Sequence, residues 1–344
     1  MSVRGALRKL HLWAGLTAAL LLLLLGVTGS VMVFEEEIDD ALNARLAWVQ
    51  PAGKRLSLVE MKAALEKANP GATVTSIGIP ASEAHSWSAF LRGGKGVSFN
   101  PYTGAVLGAA ADRNNFTGNL HQFHLRLLAG PTGKAIVGFA GPFLLFLSIT
   151  GLILWWPRKI LTLGRRFNFD LHNTVGVYSW IFLMIFAFTA IIIHWESEAS
   201  AAANWLANSP EAPPFPQRQP APPGAARLTP DQLLDIAQTT APGARATMIQ
   251  LEGNPIRIPM KYPEDRTPAG RTNIFLNAYT GEVVFHLNAR TGPLGFRMVK
   301  LWNREIHTGD IFGWPTRILA SLASLALPVM AITGPLIWWS RRRK

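Results

Sequence analysis

Cysteine is absent from this chain of 344 residues. Its absence excludes structural disulfides, thiolate-ligated iron–sulfur clusters, Cys-based zinc sites and covalent c-type haem attachment through C-x-x-C-H. Any bound metal has to be held by His, Met, Tyr, carboxylate or backbone oxygen. A G-x-G-x-x-G dinucleotide motif is missing too, which argues against an internal NAD or flavin domain. Acidic residues are few, 21 Asp and Glu against 33 Lys and Arg, for a net charge of +12. Such an excess could suit nucleic acid. The basic residues, however, border apolar runs, where membrane topology explains them, so no nucleic-acid partner is expected.

Asp, Glu, Lys and Arg are absent altogether from four stretches: Leu10–Phe34, Ala135–Trp156, Val175–Trp195 and Ile318–Trp339. Each is long enough to cross the ~30 Å hydrocarbon core of a bilayer. Each is apolar all round rather than striped, as suits lipid or a helical bundle. No A-x-A-like cleavage site follows the first run before Glu35, Glu36 and Glu37, so it reads as an uncleaved anchor rather than a signal peptide. The flanking segments carry Arg4, Arg8 and Lys9, then Arg158, Lys159, Arg165 and Arg166, then Arg341, Arg342, Arg343 and Lys344. By the positive-inside rule these are cytoplasmic, with both termini inside and the two long loops outside, in the periplasm of a bacterial inner membrane.

The chain also repeats itself. "SITGLILWWPRK" at 148–159 returns as "AITGPLIWWSRR" at 331–342, and "FNPYTGAVLG" at 99–108 as "LNAYTGEVVF" at 276–285. "RLSLVEMKAAL" resembles "RLTPDQLLDIA", and Leu10-His11 aligns with Leu171-His172. Each half runs helix, external module, helix, and both start on the same side, which predicts a parallel repeat about an axis along the membrane normal. The external modules read as small α+β units. Ser57 and Glu60 form a capping box for a helix ending before Asn69-Pro70-Gly71. Strands follow at Thr73–Ile79, Trp87–Leu91 and Gly96–Phe99, then a turn at 100–104. In the second module Thr229-Pro230 begins the helix and Asn277–Gly281 makes the turn. Between them, the Pro-rich Pro210–Pro223 is expected to be extended and not packed.

This layout, with NPYTG-type turns and ITGLILWW at a helix end, resembles the PepSY-associated transmembrane-helix family over nearly the whole chain. The resemblance implies a membrane α-helical fold of four transmembrane helices as two parallel repeats, each with an external α+β PepSY-like module. The corresponding segments are 1–34, the first module at 35–120, an outer His segment and second helix at 121–160, the third helix at 161–196, a linker at 197–226, the second module at 227–300, and an outer His segment and fourth helix at 301–344. The family includes iron-regulated inner-membrane proteins, one branch being haem-containing ferric-siderophore reductases. PepSY modules elsewhere accompany peptidase inhibition or ligand sensing, which supplies the alternative: a membrane sensor or peptidase-regulating protein without redox activity. The sequence departs from symmetry at Arg304 and Ala278, which stand where the first half has His121 and Pro101.

Six of the 8 His lie in or beside the membrane segments. His11 and His172 are related by the repeat, so an iron on the repeat axis would receive two equivalent imidazoles. His124 and His307, related by the same 183-residue offset as the ITG motif, form a second, outer pair. The expected cofactor is haem b, one or two per chain, with His11, His172, His124 and His307 as iron ligands. Two axial nitrogens saturate the iron and favour electron transfer. His121 and His194 have no counterparts and are candidate replacement ligands or proton donors. Arg4, Arg8 and Arg166 inside, and Arg126 and Arg304 outside, are candidates to hold propionates. His85 and His286 belong to the external modules as surface or core residues. Along the third helix, His172 and His194 are 22 residues apart, about 33 Å, a long gap for direct tunnelling. The expected function is an oxidoreductase that reduces ferric siderophores, whose hard oxygen ligands hold ferric iron better than ferrous. A separate electron donor, quinol or a cytoplasmic reductase, is implied.

Overall fold

The computed structural model describes residues 2–156 and 166–342. Arg158, Lys159 and Arg165 of the expected cytoplasmic clusters, and Arg343 and Lys344, lie outside the described residues. The chain divides into two compact units. One comprises residues 1–36, 115–199 and 302–344; the other comprises residues 37–114 and 200–301.

The first unit holds four helices long and apolar enough to cross a membrane: Val3–Met32, Gly130–Trp155, Phe167–His194 and Trp314–Arg342. Each begins before its charge-free stretch; three of these extensions pass through Arg or Lys, whose stems lie along apolar surface, and that of the third span passes through the buried Asp170. The second is two helical pieces, Gly130–Gly138 and Ala140–Trp155, that meet at Phe139. Pro142 explains the joint: it has no N–H to offer the carbonyl of Gly138. The first span lies against the second and fourth, and the third also lies against the second and fourth. First and third therefore stand diagonally across a four-helix ring.

Small residues set the spacing of that ring. A Cβ added at Gly26 would fall 2.7 Å from Leu327 Cβ and from Pro328 Cδ on the fourth span. Beside it, the Ser324 and Ser321 hydroxyls donate to the Gly26 and Ser30 carbonyls, each at 3.0 Å. At the second-to-third contact a Cβ at Gly141 would lie 2.9 Å from Ile191 Cγ1.

The second unit is α+β. Among its helices, Leu58–Ala68 opens on the capping box expected from Ser57 with Glu60, and Pro230–Thr240 begins at the expected Thr229-Pro230, where Thr229 and Gln232 form a second capping box beyond the sequence expectation. Its strands are β1 (Val74–Gly78), β2 (Trp87–Leu91), β3 (Gly96–Phe99), β4 (Val106–Ala109), β5 (Arg245–Ala246), β6 (Met248–Gln250), β7 (Ile256–Lys261), β8 (Thr272–Leu276) and β9 (Val283–Leu287). The Asn100 and Asn277 side chains accept the N–H of the residue two on, and Gly104 and Gly281 close the turns at φ +73° and +74°, a conformation glycine adopts freely.

The sheets do not divide along the two sequence segments. β6 leaves its own segment and pairs antiparallel with β1, Ile77 opposite Ile249, giving a five-stranded sheet of order β4-β3-β2-β1-β6 beside a four-stranded β5-β7-β8-β9 sheet. One hydrophobic core draws on both segments, with Met61, Leu65, Val74 and Ile77 from the first and Ile249, Ile258, Met260 and Ile274 from the second, all buried. The Pro-rich stretch is extended and exposed almost throughout, as expected, and touches the fold at single points. Phe215 sits 5.1 Å from Phe275 and 5.5 Å from Phe285, ring centre to ring centre, and Gln219 N–H donates to Asn254 O at 2.7 Å. An aromatic ring gains enough from a partner surface to hold a segment that has no secondary structure of its own.

Candidate functional site

The four spans enclose a cavity of about 420 Å³, within the size range of small-molecule sites. His11 on the first span and His172 on the third both line it, so the ring arrangement brings these two imidazoles to one space from opposite sides. Apolar wall comes from Leu12, Leu16, Leu147, Trp180 and Met330. Cations stand where the first helix begins: Arg4, Arg8, Lys9, Arg166 and Arg341 all reach the cavity lining. Arg4 also donates to the Leu154 and Trp156 carbonyls, each at 2.8 Å, holding the end of the second span.

Four glycines line the same cavity: Gly15, Gly151, Gly176 and Gly334. An added Cβ at Gly151 would lie 3.4 Å from His11 Cε1, and at Gly334 3.5 Å from His172 Cε1. At Gly176 it would lie 3.2 Å from Met330 Cε. Bare backbone thus faces an imidazole at Gly151 and Gly334 and the Met330 side chain at Gly176. Ser148 Oγ, in the same wall, is buried without a hydrogen-bond partner.

Each cavity His is tied by its Nδ1 to a threonine on a neighbouring span: His11 to Thr150 at 2.7 Å and His172 to Thr333 at 2.9 Å. These are the threonines of the two ITG motifs.

The outer pair is built alike. His124 lies on the Phe116–Arg126 helix, which packs on the first span, and its Nδ1 is 2.8 Å from Thr28 Oγ1. His307 lies on the Asn303–Thr308 helix, which packs on the third span, and its Nδ1 is 2.7 Å from Thr189 Oγ1. Asn303 donates to the Thr189 carbonyl at 3.1 Å, and the Phe186 ring meets His307 edge-on at 5.9 Å. Burial holds both imidazoles below the usual range, with His307 and His121 adding to the effect on His124 and Arg304 to that on His307. Arg304 Nη1 is buried with no hydrogen-bond partner among the described residues.

The remaining histidines are placed differently. His121 shares its helix with His124, but its Nδ1 is 2.9 Å from Glu35 Oε2. His194 ends the third span with its ring 4.5 Å from Trp195, pressed so closely on Gly138 that a Cβ there would overlap it. His85 Nε2 faces Asp40 at 3.1 Å, and His286 lies on β9. Among the described residues, no group of three or more His, Asp or Glu could hold a bare metal ion. From His11 to Thr28 on the first span, and from His172 to Thr189 on the third, is 17 residues, about 25 Å of helix at 1.5 Å per residue. The two levels are therefore closer than the span ends.

The profile of the PepSY-associated TM region matches residues 8–341. The chain belongs to the PepSY-associated TM family. No curated protein matches it. What sequence reasoning missed in this PepSY-associated protein is the threonine set, Thr28, Thr150, Thr189 and Thr333. Its signal was present: Thr150 and Thr333 share the 183-residue offset of the outer histidines, and Thr28 and Thr189 the 161-residue offset of His11 and His172.

Proposed function

We propose that this protein is a haem-b electron carrier of a bacterial inner membrane that passes electrons across the bilayer to ferric siderophores, releasing ferrous iron outside. The observation that carries the reading is one cavity faced from opposite spans by His11 and His172, with glycines in its walls and cations at one end. A flat tetrapyrrole with two acidic side chains matches that donor set. His11 and His172 would hold the iron, the glycines would leave room for a planar ring, and Arg8, Arg166 and Arg341 would pair with its carboxylates. When bound, haem supplies one-electron redox chemistry, and two imidazoles favour outer-sphere transfer over oxygen binding. His124 and His307 are proposed as a second, outer site.

The chain's own part is to hold and orient. The spans exclude water, the threonines fix the rings, and Arg304 offers a charge beside the outer site. The orientation follows from charge: termini inside, the α+β unit outside, and two halves as parallel repeats. Direct pairing of β1 with β6 supports the even number of crossings that this requires, because residues 74–78 and 248–250 must lie on one side. A separate donor, quinol or a cytoplasmic reductase, supplies the electrons.

The test is to express the full chain with haem supplied and count haem by pyridine haemochromogen. The reduced protein is then mixed with a ferric siderophore in the presence of a ferrous-iron trap. Haem in a stoichiometry of one or two, reoxidised as ferrous iron is captured, supports the proposal. A chain without a Soret band overturns it in favour of a PepSY-type sensor or peptidase-regulating protein.

A further inference from the structure

We propose that Thr28, Thr150, Thr189 and Thr333 are positioning residues that lock four imidazoles in the Nδ1–H tautomer and so turn four Nε2 lone pairs toward ligand. The inference rests on the proposed function for the identity of that ligand, but its geometry stands by itself.

A threonine hydroxyl has one proton and two lone pairs. In all four residues the carbonyl one turn back stands ready to accept that proton, at 2.8 Å from Thr28 (Leu24 O) and 2.7 Å from Thr150 (Phe146 O), Thr189 (Ile185 O) and Thr333 (Val329 O), and we assign the proton to it. A carbonyl can only accept, so toward the histidine each Oγ1 has only a lone pair left. The facing atom is Nδ1 in every case, at 2.7 to 2.9 Å. Nδ1 must therefore carry the hydrogen. In an uncharged ring Nε2 is then the free lone pair. Metal-bound imidazoles depend on such an acceptor behind the ring, which fixes orientation and strengthens the donor nitrogen.

Back-bonding of Thr to the previous turn is common in membrane helices, and one instance would carry no weight. Four instances, each holding a histidine and none shared with His85, His121, His194 or His286, select a set. The sequence context repeats as well. Thr28-Gly29, Thr150-Gly151 and Thr333-Gly334 put a glycine beside the held ring, with Cε1 of His124, His11 and His172 at 3.2, 3.4 and 3.5 Å from an added Cβ. The fourth site has Ala190 after Thr189. The TG pair is thus a two-part holder, hydroxyl for orientation and bare backbone for clearance.

The experiment uses the full-length protein in detergent, with histidine labelled by nitrogen-15. Before haem is added, long-range proton–nitrogen correlations report the tautomer of each ring. The expected result is Nδ1–H at His11, His124, His172 and His307; Nε2–H at these rings in the wild-type chain overturns the proposal and needs no variant. Thr150→Val should release His11 alone, whereas Thr150→Ser, which keeps both hydrogen bonds, should not. In the haem-loaded protein, Thr150→Val and Thr333→Val should each weaken haem retention about 10- to 100-fold and raise the midpoint potential, because a less basic axial nitrogen favours ferric iron less. Serine should restore both, and unchanged retention and potential in the valine variants overturns the proposal. A wild-type chain that takes up no haem sinks the functional reading instead, while the tautomers still decide the role of the threonines.

Discussion

The carboxylate of Asp231 accepts the backbone N–H groups of Leu58 at 2.8 Å and Val59 at 3.1 Å, so an acid from the second α+β segment caps the helix of the first. A negative group at a helix start satisfies otherwise unpaired N–H groups and complements the helix dipole. Asp231→Ala should lower the stability of the α+β unit by about 0.5–2 kcal/mol, seen as a drop in its unfolding midpoint. An unchanged midpoint would mean that water replaces the cap at no cost.

Ile249 is fully buried and opposes Ile77 across the β1–β6 junction. Ile249→Ala should cost about 2–5 kcal/mol. Because the core is common to both segments, it should shift one cooperative transition. Two separate transitions, with only one of them moved, would show that the segments are independently stable.

Gly26→Leu would drive a side chain into Leu327 and Pro328 at the first-to-fourth contact. Overpacking of this kind costs about 1–3 kcal/mol. Earlier thermal aggregation of the detergent-solubilised protein is the expected result; retained stability would require that the two spans separate without penalty.

Phe215→Ala removes the ring that ties the Pro-rich stretch to Phe275 and Phe285. With two aromatic pairs contributing about 0.5–1.5 kcal/mol each, the stability of the α+β unit should fall by about 1–3 kcal/mol. Protease cleavage within 210–223 should become faster, and cleavage at the wild-type rate would remove Phe215 from the account.

On the proposed function, His11→Ala and His172→Ala should remove the same spectral component of the haem-loaded protein, since each would delete one ligand of one iron. His121→Ala, by contrast, should leave the haem spectrum intact, because His121 is held by Glu35. Unequal effects of the first two variants would argue against a shared axial pair.

Much of this was legible in the sequence. The four spans follow from runs without charge, the two capped helices from S-x-x-E spacing and from Thr229-Pro230, and the turns from Asn and Gly at fixed positions. Repeat offsets pointed to His11 and His172, which line one cavity. The β1–β6 junction was not legible, since alternation marks a strand but does not name its partner across 170 residues of chain. Phe215 was hidden by its prolines, whose composition signals extension and says nothing of a single ring. The threonines were overlooked for a different reason: within an apolar helix a hydroxyl bonded to its own previous turn looks like filler, and only the pairing with a histidine on another element shows that its second lone pair is in use.

The exchange of β6 onto β1 also dictates an order of assembly. When residues 74–78 leave the ribosome, their partner is still more than 160 residues of chain away, with the second and third spans yet to be made. Until residues 248–250 arrive, the edge of β1 carries unpaired N–H and C=O groups, the kind of edge that invites wrong partners. The α+β unit therefore cannot close before the third span has been synthesised, which makes its folding a late event in the life of the nascent chain.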